Sequence, residues 1–344
     1  MKKFLSLSVR LLGATAMAAC LGGAAEAAKT SLTIATTTTA ESTTGELIKQ
    51  FENDVRTMGN GEIDVEIYYS GSLVKSSETF DAVRNGVASC DMTNGSYQTG
   101  KNPAFQFVAD VMGGYDNPLQ FMSWIYYGGG KQAINELYNS YNMQFVGAFM
   151  GGQESLVSSR PLNGVKDLEG FKFRSPPGME SEIFASLGAK PVVMDFNEIF
   201  TALETKIIDG ADASTLTNNY RLGLYDVVKE TTYPGFHSMS ADHLACNKDV
   251  WDAMPEAHRL ILETAMQKLS MNLMMKTLVL NGEAAAKSPE AGVTLHNWSA
   301  EDRATFRAAA KARWLEWAKK TPETDKLVKS HIEFLDRIGL GGKK

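Results

Sequence analysis

Short stretches with the residue pattern of β-strands alternate along this chain with stretches that have the pattern of α-helices. Residues 31–37 and 63–67 alternate apolar and polar side chains, as half-buried strands do, and residues 42–58 between them repeat apolar residues at helical spacing. Strand–helix–strand repetition predicts an α/β fold in which helices cover a parallel sheet. Ligands bind beyond the carboxyl ends of such strands, where the loops at residues 36–39 and 94–98 fall.

The same alternation continues through the middle of the chain, and the last third is predicted to be helical. Asp195 and Glu198 have capping-box spacing, and Ser299 precedes another long helix. The methionine-rich segment 266–275 has helical spacing, so we expect its methionines in the core rather than on a groove that binds peptides. The further predicted strands are residues 143–150, 170–175, 191–194 and 207–213, and the apolar helical stripes are Leu262, Met266, Leu269 and Leu273, then Phe306, Ala310, Trp314 and Trp317.

No flexible linker divides the chain, so we predict two α/β lobes that are joined by strands and separated by a cleft. The strands near residues 143–148 and 244–248 are the candidates for crossing between the lobes. The predicted boundaries are residues 28–147 plus roughly 244–290 for lobe I, 148–243 for lobe II, and roughly 291–344 for C-terminal helices that span or pack on the lobes.

The first 27 residues have the pattern of a secretory signal peptide. Lys2, Lys3 and Arg10 precede a short apolar run, and Ala25-Glu26-Ala27 supplies small residues at cleavage-site spacing. A buried N-terminal helix is the alternative. Cleavage near Ala27 would place the chain in the periplasm, and the loss of three basic residues and one acidic residue would change the net charge from −6 to −8.

Composition excludes several classes of protein. With 44% hydrophobic and 22% charged residues the chain has ordinary globular composition, and a net charge of −6 argues against a nucleic-acid partner. No apolar run approaches the roughly 20 residues that span a bilayer. Cys90 and Cys246 remain after removal of the leader. We expect them to be buried and unpaired, with a disulfide as the alternative.

Catalytic motifs are absent from the sequence. It contains no G-x-S-x-G, P-loop, G-x-G-x-x-G or H-E-x-x-H pattern, and Ser72 and Lys75 match S-x-x-K without its partner motifs. His237 and His243 are six residues apart, but a hydrogen-bonded role is favoured over metal ligation. We therefore predict no catalytic residue, metal or cofactor. The alternative is a secreted hydrolase that uses paired carboxylates such as Asp209 and Asp212.

Arg174 is the strongest candidate for ligand recognition, because it closes an otherwise apolar strand, Phe171-Lys172-Phe173-Arg174. A solvated sheet edge is the ordinary interpretation of this pattern. A guanidinium at a strand end that faces a cleft can instead bind a carboxylate through two parallel hydrogen bonds.

The residues around Arg174 resemble a known family over about 60 positions, with blocks in the same order and at near-constant spacing. On these blocks the chain resembles the substrate-binding proteins of TRAP transporters, the DctP-like family. Residues 69–73 and 83–86 fit as well, which extends the resemblance over nearly the whole chain after the leader. The blocks are residues 160–163 (RPLN), 167–176 (DLEGFKFRSP), 187–194 (LGAKPVVM), Glu198, 202–206 (ALETK) and 208–210 (IDG).

The resemblance implies a two-lobed periplasmic binding protein of type II-like architecture that closes over a small organic anion. It also implies delivery of that anion to a sodium-driven permease with one small and one large membrane subunit. Arg174 matches the family arginine that pairs with the ligand carboxylate, and Gln153 falls where the 2-oxo acid branch has a glutamine that contacts ligand and cation. Asp212 occupies that branch's acidic position, but Ala213 replaces the tryptophan that follows, which implies a roomier pocket.

The remaining expected ligand contacts are Thr38, Ser96 and Tyr97 in the strand-end loops, with Phe236 and His237. The 2-oxo acid branch has a later acidic cation ligand near the position of residues 236–238, where this chain has no carboxylate. The resemblance therefore does not imply a bound cation here. A monomer and a homodimer both remain open. A ligand-presenting sensor subunit is the alternative to a transport role.

Overall fold

The computed structural model describes residues 29–340, so the predicted signal peptide lies outside the described residues. Within them no helix is both long and apolar enough to cross a membrane. The strands are β1 (Thr30–Thr36), β2 (Ile63–Tyr68), β3 (Cys90–Asn94), β4 (Met143–Phe149), β5 (Ser155–Ser158), β6 (Lys172–Ser175), β7 (Lys190–Val193), β8 (Gly210–Ser214), β9 (Glu230–Thr232), β10 (Asp242–Asn247) and β11 (Thr294–His296).

Helices surround these strands, and five short 3₁₀ turns lie among the connections of the described chain. The helices are α1 (Thr43–Met58), α2 (Thr79–Arg84), α3 (Gln106–Ala109), α4 (Pro118–Tyr127), α5 (Gly130–Asn139), α6 (Met179–Ser186), α7 (Ile199–Glu204), α8 (Leu216–Arg221), α9 (Leu224–Val227), α10 (Lys248–Ala253), α11 (Glu256–Lys287), α12 (Ala300–Ala318) and α13 (Pro322–Arg337).

The strands form two sheets, in the orders β2-β1-β3-β10-β4 and β11-β9-β5-β8-β6-β7. The predicted α/β class is confirmed, and most strand pairs are parallel as expected, but two strands depart from the expected parallel sheet. β10 runs antiparallel to β3 and β4, and β5 runs antiparallel to β8 and β9. These two strands begin where the chain enters a sheet from the other lobe, and they therefore run away from the cleft. Each of the other described strands runs toward the cleft.

Both strands that were predicted to cross between lobes, β4 and β10, lie wholly in the first sheet. The chain instead changes sheets in the connections at residues 150–154 and 233–241. The C-terminal segment contacts both lobes, because α12 packs against α6 whereas α13 packs against α5. It also contributes β11 to the second sheet. The lobe boundaries given above stay a prediction.

Most of the predicted core and capping residues behave as expected. Ser299 caps its helix, Asp195 and Glu198 form a capping box, and both apolar stripes are buried. The prediction for the methionine-rich segment is wrong in part, since Met271 and Met275 are about half exposed. α11 packs against α1, β4 and α8 through a single face, so residues on its outer face have no neighbour to cover them.

Cys90 and Cys246 form a disulfide, so the expectation of free thiols is wrong. The pattern of the sequence did not reveal that β10 lies beside β3. In the observed register Cys90 stands directly opposite Cys246, which brings the two thiols together. The bond links residues that are 156 positions apart.

Loss of this disulfide should lower the free energy of unfolding by about 2–5 kcal/mol, because the cross-link restricts the unfolded chain over a long loop. The measurement is urea denaturation of the oxidised protein and of a Cys90→Ala, Cys246→Ala double variant, with and without reductant. Reductant should destabilise the parent protein alone. Equal unfolding midpoints in all samples would contradict the bond.

His331 should make the protein less stable in mild acid. Burial lowers the pKa of this histidine to about 3, although its hydrogen bond to the Phe107 carbonyl acts in the opposite direction. The unfolded chain therefore binds a proton below about pH 6.5 that the folded chain does not, and stability falls by about 1.4 kcal/mol per pH unit from this group. Unfolding curves at pH 7, 6 and 5 should show a shallower dependence for His331→Gln. An unchanged slope would refute the assignment.

Candidate ligand-binding cleft

A cavity of about 140 Å³ lies between the two sheets, at the ends of the strands that run toward the cleft. Both lobes contribute to its wall. Lobe I supplies the loop after β1 and the loop after β3, whereas lobe II supplies the ends of β6 and β8. This is the place where the strand-end rule predicts a ligand.

Arg174 forms part of the lobe II wall and is only 3% exposed. Its Nε donates to the Met194 carbonyl at 3.3 Å and its Nη1 donates to the Asp212 carbonyl at 2.8 Å. The guanidinium carbon also lies 5.9 Å from the centre of the Phe196 ring. These contacts fix the orientation of the guanidinium while backbone dipoles, rather than a carboxylate, accept its hydrogen bonds.

Asp212 and His237 form a buried pair behind Arg174. The His237 Nε2 lies 2.9 Å from the Asp212 Oδ1, and both residues are at most 3% exposed. Burial acts to raise the pKa of Asp212, but the hydrogen bond and charge of His237 and the charge of Arg174 outweigh it and lower that pKa. Asp212 is therefore the carboxylate of this wall that stays ionised most readily.

Four further acidic residues line the cavity and are not among the predicted ligand contacts: Asp110, Glu154, Glu180 and Asp242. Burial raises the pKa of Asp110 to about 7 and that of Asp242 to about 6. Burial and the neighbouring Asp212 charge raise the pKa of Glu154 and of Glu180 well above the ordinary value. These residues come from four separate segments, and no motif connects them. The one available signal was the position of Glu154 next to Gln153.

Two of these acids, Asp110 and Glu154, meet at the Ser238 hydroxyl. Its Oγ lies 2.7 Å from Asp110 Oδ2 and 2.7 Å from Glu154 Oε2. A hydroxyl has one hydrogen, so it cannot donate fully to two carboxylates at once, and the raised pKa values of both acids favour a shared proton here. Asp110 Oδ2 also accepts the backbone N–H of Met239 at 3.3 Å.

The lobe I wall is mainly neutral and polar. Asn94 at the end of β3 accepts the backbone N–H of Ser96 at 2.9 Å. Its Nδ2 donates to Ser240 Oγ at 2.6 Å and to Asp242 Oδ1 at 3.1 Å. Asn94 thereby holds Ser240 and Asp242 at the cavity surface. The threonine loop at residues 37–39 completes this wall.

Six of the predicted ligand contacts line the cavity: Thr38, Ser96, Tyr97, Arg174, Asp212 and Ala213. Gln153, Phe236 and His237 do not belong to the lining. The Gln153 Nε2 lies 3.5 Å from the Asp116 carbonyl, Phe236 stacks on Trp298 at 3.9 Å, and His237 contacts the cavity only through Asp212.

The carboxylates of the alternative hydrolase hypothesis do not share a site. Asp212 lines the cavity, whereas Asp209 lies outside the lining and accepts the backbone N–H of Lys172 at 3.1 Å. The structure thus separates the two groups that a paired-carboxylate mechanism would have to hold around one bond.

Glu154, Asp212 and His237 place potential metal-ligand atoms within 4.8 Å of one another. Carboxylate oxygens suit calcium or sodium, and an added imidazole suits zinc and its neighbours. Here His237 Nε2 is paired with Asp212 and Glu154 with Ser238, so these atoms already have partners within the protein. The sequence-based prediction of no metal did not take Glu154 into account.

Hydrogen bonds join the lobes across the mouth of the cleft. The Thr43 N–H donates to Asn218 Oδ1 at 3.1 Å, and Ser70 Oγ donates to Asn197 Oδ1 at 3.0 Å. Arg221 on lobe II also pairs with Glu46 on lobe I. With these contacts formed, the lobes are in a closed arrangement over the cavity.

Comparison with curated proteins finds relatives that cover most of the chain. A monocarboxylate 2-oxoacid-binding periplasmic protein of Nostoc is 29% identical over 249 residues, which are 72% of this chain and 68% of the relative. The C4-dicarboxylate-binding periplasmic protein of Rhodobacter capsulatus is 26% identical and covers 86% of this chain and 89% of its own length.

Solved structures of solute-binding proteins also match most of the chain, and they include open and ligand-bound forms. A TRAP periplasmic solute-binding protein from Rhodobacter sphaeroides in an apo open form is 33% identical, with a TM-score of 0.73 over 90% of this chain and 99% of that one. One from Pseudoalteromonas atlantica with bound sodium and pyruvate is 25% identical, with a TM-score of 0.80 over 90% and 95%. The TM-score is higher for the pyruvate-bound structure, although the open structure has the higher sequence identity. This is the result expected if the lobes of this chain are closed.

The family model for bacterial extracellular solute-binding proteins of family 7 (DctP) matches residues 34–321, which include the whole cavity wall and both sheets apart from the first four residues of β1. This chain therefore belongs to the family of bacterial extracellular solute-binding proteins, family 7.

Proposed function

We propose that this protein is the extracytoplasmic receptor of a TRAP transporter and that it binds a small organic acid by closing its lobes. The observation that carries the proposal is Arg174, a guanidinium that is 3% exposed and lines a cavity between two lobes. Burying such a charge is costly unless a partner satisfies it, and a ligand carboxylate fits its planar fork.

The contacts of Arg174 support an anchoring role. Nε and Nη1 each hold a backbone carbonyl, so the side chain is already oriented before a ligand arrives. A preorganised donor loses little conformational entropy on binding. The relatives named above bind a 2-oxo acid or a C4-dicarboxylate, which supports the same class of ligand here.

We further propose that residues 1–27 direct export, that the mature chain acts in the periplasm as a monomer or homodimer, and that it delivers its ligand to the small and large permease subunits. Family membership supports this assignment. Closure across the cleft mouth would present one continuous surface of both lobes to the permease.

Replacing Arg174 should weaken ligand binding strongly. Arg174→Ala removes a charge-assisted pair, and we expect the dissociation constant to rise by at least about tenfold, which is about 1.4 kcal/mol. Arg174→Lys keeps the charge but loses the fork, so it should also bind more weakly than the parent protein. Calorimetry with an acid found by a thermal-shift screen of small carboxylates is the measurement.

The control for both variants is Arg337→Ala, which removes an exposed arginine of α13 outside the cavity. This variant should bind like the parent protein. Unchanged affinity in Arg174→Ala would refute the assignment of the anchor.

Asn197→Ala should weaken the closed arrangement without touching the ligand, because Asn197 bonds Ser70 of the other lobe and does not line the cavity. Loss of the hydrogen bonds to Ser70 and, at 3.4 Å, to Ser76 should raise the dissociation constant about two- to fivefold. Stopped-flow measurement should assign the change to faster dissociation. Asn139→Ala, at the exposed end of α5, is the matched control, and equal rates in the two variants would contradict the latch role.

A further inference from the structure

The charges around the cavity do not match a ligand that is only an anion. Five carboxyl groups line it, those of Asp110, Glu154, Glu180, Asp212 and Asp242. Arg174 is the sole cationic residue in that lining, as far as the described chain shows. A bound carboxylate would add one more negative charge. Burial raises the pKa of Asp110, Glu154 and Glu180 and so favours their neutral forms. Asp212, whose pKa is lowered, and Asp242, whose pKa is about 6, stay negative at neutral pH, so a bound anion calls for additional positive charge.

Within the protein this compensation is incomplete. Asp212 has His237, and Asp110 and Glu154 share the Ser238 hydroxyl. Glu180 is 1% exposed and its carboxyl group hydrogen-bonds Asp212, but no N–H or hydroxyl donor of the described chain reaches its Oε1. Its Oε2 has a long contact of 3.4 Å with Ser175 Oγ. A buried carboxyl oxygen without a donor on a cavity wall marks a place for a ligand hydrogen-bond donor.

Asp242 lies on the opposite wall and is only partly buried. Asn94 holds its Oδ1 at 3.1 Å, and Ser240 and Asn94 place neutral oxygens beside it. Arg174 comes from lobe II and Asp242 from lobe I, so the cavity has a guanidinium on one wall and a carboxylate on the other.

On these grounds we propose that the ligand is zwitterionic and carries a protonated amine, or a comparable cationic nitrogen, in addition to its carboxylate. The carboxylate binds Arg174, and the cationic nitrogen binds the Asp242 carboxylate, with Glu180 as a second acceptor. This inference rests on the proposed function and narrows its substrate class. An ammonium group supplies the missing positive charge, and its N–H donors suit carboxyl and hydroxyl oxygens.

The first test compares matched pairs of compounds on the purified full-length mature chain. Each pair has the same carbon skeleton with and without the amino group, such as alanine and propionate, glutamate and glutarate, or proline and cyclopentanecarboxylate. We expect the tightest binder to be an amino compound that binds at least about tenfold better than its partner, measured by thermal shift and calorimetry in buffer with chelator.

The result that overturns the proposal is a tightest binder without a cationic group. Binding of an amino-free acid that requires added sodium or calcium would equally overturn it, because a metal ion would then supply the charge. If no carboxylate of either kind binds, the proposed function itself fails, so the two failures are distinguishable.

The second test uses Asp242→Asn, which keeps the shape of the side chain and removes its charge. Binding of the amino compound should weaken by about 10- to 100-fold, whereas the amino-free partner should bind no worse. Asp226→Asn changes the net charge equally at an exposed position outside the lining and should leave both affinities unchanged. Equal losses for both members of a pair in Asp242→Asn would refute the proposed contact.

Glu180→Gln gives an independent result if Asp242→Asn does not fold. This variant should weaken binding of the amino compound by at least about threefold more than binding of its amino-free partner. A preference for the amino compound that is unchanged in this variant would remove Glu180 from the proposal.

Discussion

The direction of the strands determines where the binding cavity of this protein lies. Each strand of the described chain runs toward the cleft, apart from β5 and β10, which begin there because the chain enters their sheets from the other lobe. Loops and strand ends from both sheets therefore meet at one place, and their side chains line a single cavity. The two connections that make this possible, at residues 150–154 and 233–241, also carry Glu154 and Ser238 into the wall.

The acids of the cavity follow from the same arrangement. Each belongs to a different segment, and a carboxyl group that would be ordinary on a surface strand end becomes one of five around a small volume. Burial and mutual repulsion then raise the pKa of most of them. The Ser238 hydroxyl lies within hydrogen-bond distance of two, Asp110 and Glu154. Arg174 and His237 hold Asp212 as the ionised exception. The pKa shifts of these acids thus depend on both lobes being closed around the cavity.

Much of this could be predicted from the sequence, because it depends on local patterns. Periodicity located most strands and helices, the Ser299 cap and the Asp195–Glu198 capping box are local patterns, and the block around Arg174 led to the family. The predictions that were wrong concern which segments of the chain become neighbours in the fold. The pairing of Cys90 with Cys246 needs β10 beside β3, and the antiparallel strands need the chain path between lobes. The placement of Asp110, Glu180 and Asp242 around Arg174 needs both lobes at once, and no local pattern encodes it.

The position of the disulfide has a consequence for the lobe I wall. Cys90 and Cys246 pair at one end of the β3–β10 ladder, and Asn94 and Asp242 pair at its other end. The covalent bond fixes the register of the ladder, so it also fixes which polar side chains meet at the cleft four residues away. A chain held under reducing conditions keeps that register by hydrogen bonds alone, whereas oxidation makes it permanent. The geometry of this polar wall thus depends in part on a covalent bond at the far end of the same ladder.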